Sequence, residues 1–211
     1  DKRAELISRM QEVGYGRPSG NMWTHIGSDR NKHLEGMLFD EVAADWGVGV
    51  EEMICRVMAE ESLTCGFRGT PPTSVKVWRQ VEEDVMELMS RPDYMVGSDS
   101  IPVGGMPHPR AYGCFVRVLG RLRRRYNYPV EQVVQRLTQN PAERFGLTDR
   151  GVIAEGKFAD LVIFDAERVI DRSSFEDPQV HPEGVPWVLV NGQIAVENEA
   201  VTGVLAGEAI P

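Results

Sequence analysis

The sequence predicts an α/β protein that alternates helix and short apolar strand as far as about Asn140 and is β-rich beyond it. Three observations carry that reading. The apolar run Tyr94-Met95-Val96 leads into Gly97-Ser98-Asp99, and a Gly- and Pro-rich loop then carries the chain into the next helix. Helix, short strand, loop and helix in succession is the rhythm of a parallel α/β structure. Near the C-terminus, Asn191-Gly192 stands between two apolar runs, the strongest short signal for a hairpin.

Taken in order, Leu6, Ile7, Met10 and Val13 are spaced three and four apart, which predicts a helix over Lys2 to Val13. Gly14, Gly16, Pro18 and Gly20 break it. Met22 to Ile26 reads as a short buried strand. Phe39 to Trp46 and Val50 to Ala59 read as helices separated by Gly47 and Gly49. Thr64 to Thr73 is turn-rich. Val75 to Met89 is an amphipathic helix stopped by Arg91-Pro92, since the residue before proline is pushed out of the helical region. The strand to Asp99 follows, then a helix over about Tyr112 to Arg125, another over Val130 to Thr138, and a short helical turn over Pro141 to Gly146. Gly151 to Ile153, Gly156 to Asp165, Val185 to Val190 and Gln193 to Val196 read as β structure. So few strands do not make a stable sheet alone, and this piece is expected to need partner strands.

A length of 211 residues allows one large domain or two small ones. The net charge of −9 argues against a nucleic-acid partner, which would demand a positive field. Arg117, Arg121, Arg123, Arg124 and Arg125 form a local basic cluster, read as the solvated end of a helix rather than an anion patch. Cys55, Cys65 and Cys114 are odd in number and lack metal-ligand spacing, as expected for reduced thiols of a cytoplasmic protein. No apolar stretch approaches the ~20 residues of a membrane span, so no membrane partner is expected. The chain opens on Asp1-Lys2-Arg3 without an initiating methionine, a start compatible with processing, an artificial boundary or a missing N-terminal half.

From pattern alone, Asp99 is either a proton acceptor at the C-terminal end of a strand or an aspartate capping its own loop. Arg110 is either an anion clamp or half of a surface salt bridge. His108, before a proline, either packs in the loop or lines a pocket, with packing favoured. Tyr112 offers either a hydroxyl to a pocket wall or a ring to a core. His25, His33 and His181 share no metal-binding spacing. Val103-Gly104-Gly105 lacks the lysine of a phosphate-binding loop, and its glycines read as those of a mobile lid.

Four stretches together resemble the amidohydrolase superfamily, and within it the N-acyl-D-amino-acid deacylases (D-aminoacylases). They are Met95 to Asp99, His108-Pro109-Arg110-Ala111-Tyr112-Gly113 with its continuation to Gly120, Asn140 to Gly151, and Gly156 to Asp165 with Val190-Asn191-Gly192. The resemblance implies a (β/α)8 barrel plus a small β-sandwich built from both chain ends. It places residues 1–140 in the C-terminal part of the barrel and 141–211 among the sandwich strands, whose partners lie upstream. It assigns Asp99 as the catalytic proton acceptor, Arg110 as the clamp for the substrate α-carboxylate, and Tyr112 and His108 to the substrate pocket. It also implies zinc held by ligands upstream of this chain, and a small-molecule N-acyl-D-amino acid as substrate. The missing half, or self-association, is then expected as partner, and this chain by itself is expected to be inactive. Two alternatives stand beside it: a cyclic-amide hydrolase of the dihydroorotase or hydantoinase kind, which the His-Pro-Arg-Ala-Tyr-Gly loop argues against, and a non-catalytic scaffold.

Overall fold

The computed structural model describes residues 2–13, 20–69 and 72–210. Its contacts divide the chain into two compact units, each of which returns to the chain more than once. The glycine-rich break expected at Gly14 to Gly20 lies outside the described residues, apart from Gly20.

The first unit comprises residues 1–73, 100–111 and 175–179. Helix α1 (Lys2–Val13) and strand β1 (Met22–Ile26) fall where the sequence predicts them. A short 3-10 turn (Lys32–Leu34) leads to α2 (Phe39–Trp46) and α3 (Val50–Glu60). Helix α2 starts cleanly because the Glu41 carboxylate accepts the Leu38 N–H at 2.8 Å, satisfying an orphan donor of the first turn. It stops at Gly47, whose φ of +64° is the left-handed conformation that glycine adopts without strain. Strand β2 (Cys65–Arg68) lies in the stretch expected to be turns and pairs antiparallel with β1, Trp23 opposite Phe67 and Ile26 opposite Cys65. Trp23, Ile26, Leu34, Phe39, Val42, Met53 and Val57 make the core, with the Trp23 and Phe39 rings 4.4 Å apart.

The second unit comprises residues 74–99, 112–174 and 180–211. Helix α4 (Val75–Ser90) is capped by Ser74, whose hydroxyl accepts the Val77 N–H. Helix α5 (Arg110–Arg117), which counts with this unit from Tyr112 onward, runs on through a π-helical turn (Val118–Leu122) into α6 (Arg123–Arg125), and α7 (Val130–Leu137) and α8 (Gln139–Arg144) follow. Met89, Leu119, Leu122, Val133 and Val169 are buried together. Gly113 and Gly120 let this helix ride on the segment Val169–Ser173: a Cβ on Gly120 would lie 2.2 Å from the Val169 carbonyl oxygen, and one on Gly113 2.6 Å from Ser173 Oγ.

Strands β3 (Leu161–Ile163), β4 (Trp187–Val190), β5 (Gln193–Glu197) and β6 (Ala200–Val201) form a four-stranded antiparallel sheet in that order. Asn191 and Gly192 join β4 to β5 with φ of +48° and +76°, the two left-handed residues of a type I′ turn. Gly151 to Ile153 forms no strand.

The run Tyr94 to Asp99 belongs to no sheet: it is a loop whose Tyr94 and Val96 pack against the core of the second unit. Among the described residues both sheets are antiparallel, so this segment finds no parallel neighbour, and a strand is defined by its neighbour. The arginine cluster does end the helix run and is partly solvated, but its side chains are also engaged by buried carboxylates and a carbonyl. Arg117 and Arg121 pair with Asp171, which is 2% exposed, at 3.0 and 3.1 Å, and Arg125 pairs with Glu82, 7% exposed. Arg123 and Arg124 donate to the Ala166 carbonyl. Carboxylates this deep need such partners to offset their lost hydration.

Candidate functional site

His108 and Arg110 belong to the first unit, Asp99 and Tyr112 to the second.

In the first unit a cleft of about 520 Å³ opens over β1 and β2. Thr24, His25 and Arg68 line it from the strands, Ile101 and His108 from the loop that precedes α5, and Arg110 from the first position of that helix. That loop is anchored, not loose. Glu35 accepts the Gly105 N–H at 3.1 Å and the Ile26 N–H at 2.8 Å, bridging loop and strand, while Lys32 donates to it at 2.6 Å. Burial pushes the Glu35 carboxyl up, but the Lys32 and backbone hydrogen bonds outweigh it and leave it below the usual carboxylate range. Gln179 donates to the Gly104 carbonyl at 3.0 Å. A Cβ on Gly104 would sit 2.0 Å from the Thr24 carbonyl oxygen. The glycines expected to make a mobile lid instead permit backbone to touch backbone, at a φ of +85° for Gly104.

His108 Nδ1 accepts the Arg110 N–H at 3.1 Å, which leaves Nε2 as the protonated nitrogen of a neutral ring. Burial, and then the charges of Arg110 and Arg68, hold its pKa below that of an ordinary histidine. Its ring meets Phe175 edge-on at 5.1 Å. The Arg68 guanidinium lies 4.7 Å over the same Phe175 ring and donates to the Phe175 carbonyl at 3.0 Å. Arg68 is only 8% exposed, and its Nε is buried without a hydrogen-bond partner among the described residues. No motif or spacing marks Arg68 in the sequence; only its pairing on β2 brings it to this cleft.

In the second unit, the segment leading to Asp99 is tied to two helices. Asn140 on α8 donates to the carbonyls of Pro92 at 2.8 Å and Tyr94 at 2.7 Å, and the Val96 N–H reaches the carbonyl of Arg136 on α7 at 3.3 Å. Asp99 ends the segment exposed, with a φ of +45°, unusual for a residue that bears a Cβ. Tyr112 is half-buried and meets the ring of His181 at 5.5 Å in a T-shaped contact. Among the described residues no three His, Cys, Asp or Glu side chains gather to hold a metal, and no helix is long and apolar enough to cross a membrane.

A sequence profile described as "Amidohydrolase family" matches residues 26–196. A D-aminoacylase of Alcaligenes xylosoxydans xylosoxydans is 35% identical over 178 residues, 84% of this chain and 34% of that protein. The crystal structure of a D-aminoacylase, described as defining a novel subset of amidohydrolases, superposes with a TM-score of 0.73 at 26% identity, over 98% of this chain and 45% of its own. The N-acyl-D-glutamate deacylase of Bordetella bronchiseptica, solved with zinc and a phosphonate that mimics the tetrahedral intermediate, superposes with a TM-score of 0.70 at 30% identity, over 90% of this chain and 36% of its own. The chain thus spans between a third and a half of the length of these three proteins.

Proposed function

The chain belongs to the amidohydrolase family, and within that family we propose that it is the C-terminal part of a longer N-acyl-D-amino-acid deacylase. In this reading residues 1–140 complete a (β/α)8 barrel, and residues 141–211 bring the β3–β6 sheet to a small β-sandwich. The reaction is hydrolysis of the amide to a D-amino acid and a carboxylate. The observation that supports it most is the loop His108-Pro109-Arg110, which sets a guanidinium and a neutral imidazole on the rim of one cleft.

Arg110 clamps the α-carboxylate of the substrate, and its planar fork fixes the α-carbon for one enantiomer. His108 Nε2–H is a donor for a neutral oxygen, since the ring resists protonation. Asp99 takes a proton from the attacking water and returns it to the departing amine. Tyr112 serves the substrate pocket of the complete protein; in this chain it lies in the second unit, against the ring of His181. Zinc belongs to this chemistry in the family, but the residues described do not form a site for it, so its ligands lie elsewhere in the complete protein.

The test compares the 211-residue chain with the complete zinc-loaded protein on N-acetyl-D- and N-acetyl-L-amino acids, with bound metal measured alongside. The expected result is D-selective turnover by the complete protein, none by this chain, and loss of roughly a hundredfold or more in Asp99→Asn with the fold intact. Equal turnover of L-substrates, or an Asp99→Asn variant of full activity, would sink the assignment.

A further inference from the structure

Arg68 has no role in the chemistry above, yet its surroundings single it out. It lies in the strand pair that floors the cleft, opposite Met22 on β1, and lines the same cleft as His108 and Arg110. Its contacts are a carbonyl, a thioether and an aromatic face, at 3.0 Å to the Phe175 oxygen, 3.0 Å to Met22 Sδ and 4.7 Å to the Phe175 ring. None of these carries a negative charge. Among the described residues no carboxylate forms an ion pair with it, in contrast to Arg117, Arg121 and Arg125, which all have one. The charge of Glu176 reaches it only as a field, and burial outweighs that field. A guanidinium cannot shed its proton to escape burial. A buried cation beside a cleft, with its Nε hydrogen unmatched, is therefore built to meet an anion that the chain does not itself supply.

Arg110 already answers the one carboxylate that every N-acyl-amino acid carries. We propose that Arg68 receives a second carboxylate of the substrate, so that the cleft selects dicarboxylic N-acyl-D-amino acids over those with neutral side chains. The inference rests on the deacylase reading. The second carboxylate comes from an acidic side chain, as in D-glutamate or D-aspartate, or from a dicarboxylic acyl group such as succinyl. The neutral His108 between the two fields fits this division, because a third cation there would have to be desolvated as well.

The experiment measures kcat/KM of the complete zinc-loaded protein for N-acetyl-D-glutamate, N-acetyl-D-leucine and N-succinyl-D-leucine, in wild type, Arg68→Gln and Arg68→Lys. The expected result is a wild-type preference for a dicarboxylate that shrinks by roughly tenfold or more in both variants, since a hydrogen-bonded charge pair is worth at least that factor. A shrinking preference for the glutamate places the second carboxylate on the side chain; one confined to the succinyl substrate places it on the acyl group. Because either variant can fail to fold, glutarate and butyrate are also compared as inhibitors of wild-type turnover, and glutarate is expected to be the tighter. Wild-type turnover of N-acetyl-D-leucine without any dicarboxylate preference, or inhibition by the two acids alike, overturns the role of Arg68 and leaves the deacylase reading standing. No D-selective turnover of any substrate removes both.

Discussion

The side-chain amide of Asn140 donates to the carbonyl oxygen of Tyr94 at 2.7 Å, and so fastens helix α8 to the segment that delivers Asp99. Its second bond, to the Pro92 carbonyl at 2.8 Å, fixes the start of the same segment. The Asn-Pro-Ala stretch at 140–142 therefore acts on the site from a distance, through backbone placement. Asn140→Ala should cost about 1–3 kcal/mol of stability, the scale for one or two hydrogen bonds whose acceptors are left without a donor. In the complete protein kcat should fall more than KM rises, because Asp99 moves and Arg110 does not. Urea unfolding together with steady-state kinetics checks this. Full kcat in a folded variant would detach Asn140 from Asp99.

Replacing Arg110 by lysine keeps the charge and removes the fork. Lysine offers a compact ammonium in place of two parallel donors, so bidentate recognition of the α-carboxylate is lost. KM for N-acetyl-D-amino acids should rise roughly tenfold or more, and the D-over-L preference should narrow as the α-carbon gains freedom. An unchanged KM would assign the clamp to another residue. The helix start gives a control: the Arg110 N–H that His108 accepts is a backbone group and survives the substitution.

Much of the scaffold was legible in the sequence because its signals are local. The three-and-four spacing of Val75 to Met89 appears as α4, with Met86 and Met89 buried, and Asn191-Gly192 turns as its residue types require. Where the reading failed, the deciding information lay far along the chain. Cys65-Gly66-Phe67-Arg68 is short, holds a glycine and no β-branched residue, and becomes a strand only because β1 stands beside it. Tyr94 to Gly97 has the right composition for a strand and lacks a neighbouring strand here. The arginines after Arg117 look like a solvated helix end until Asp171, some fifty residues later, arrives beneath them. Asp99 and Arg110 announced themselves by motif; Arg68 did not, since its significance is the set of partners around it.

His108 should make stability depend on pH. Its ring is held neutral in the folded state by burial and by Arg110 and Arg68, whereas the unfolded chain titrates near an ordinary value of about 6.5. Below that value the unfolded state binds more protons than the folded state, so stability falls as pH drops through about 6.5 and keeps falling until the folded ring itself protonates. Unfolding free energies from pH 7.5 to 5 should show this loss, and His108→Gln should lack that part of it. The ring resonances followed by NMR should titrate higher in Arg68→Gln than in wild type. Burial, the larger cause, remains in that variant, so the ring should still titrate below an exposed histidine.

Gly120 supplies the sharpest steric test, because two effects of opposite sign meet there. Alanine is the better helix former by about 1 kcal/mol, which would favour Gly120→Ala in an isolated helix. Here the added methyl would lie 2.2 Å from the Val169 carbonyl oxygen and 3.0 Å from its carbonyl carbon. Those atoms are backbone, and Val169 is itself fully buried, its amide bonded to the Asp165 carbonyl at 2.8 Å, so they cannot swing aside as a side-chain tip would. Overpacking of this kind costs about 1–3 kcal/mol, more than the helix propensity returns. Gly120→Ala should therefore lower the melting temperature. It should also loosen the Arg117 and Arg121 pairs with Asp171, which depend on the same close approach. A melting temperature above wild type would mean that Val169 yields, and that the π-helical turn, rather than the glycine, sets the distance between helix and segment.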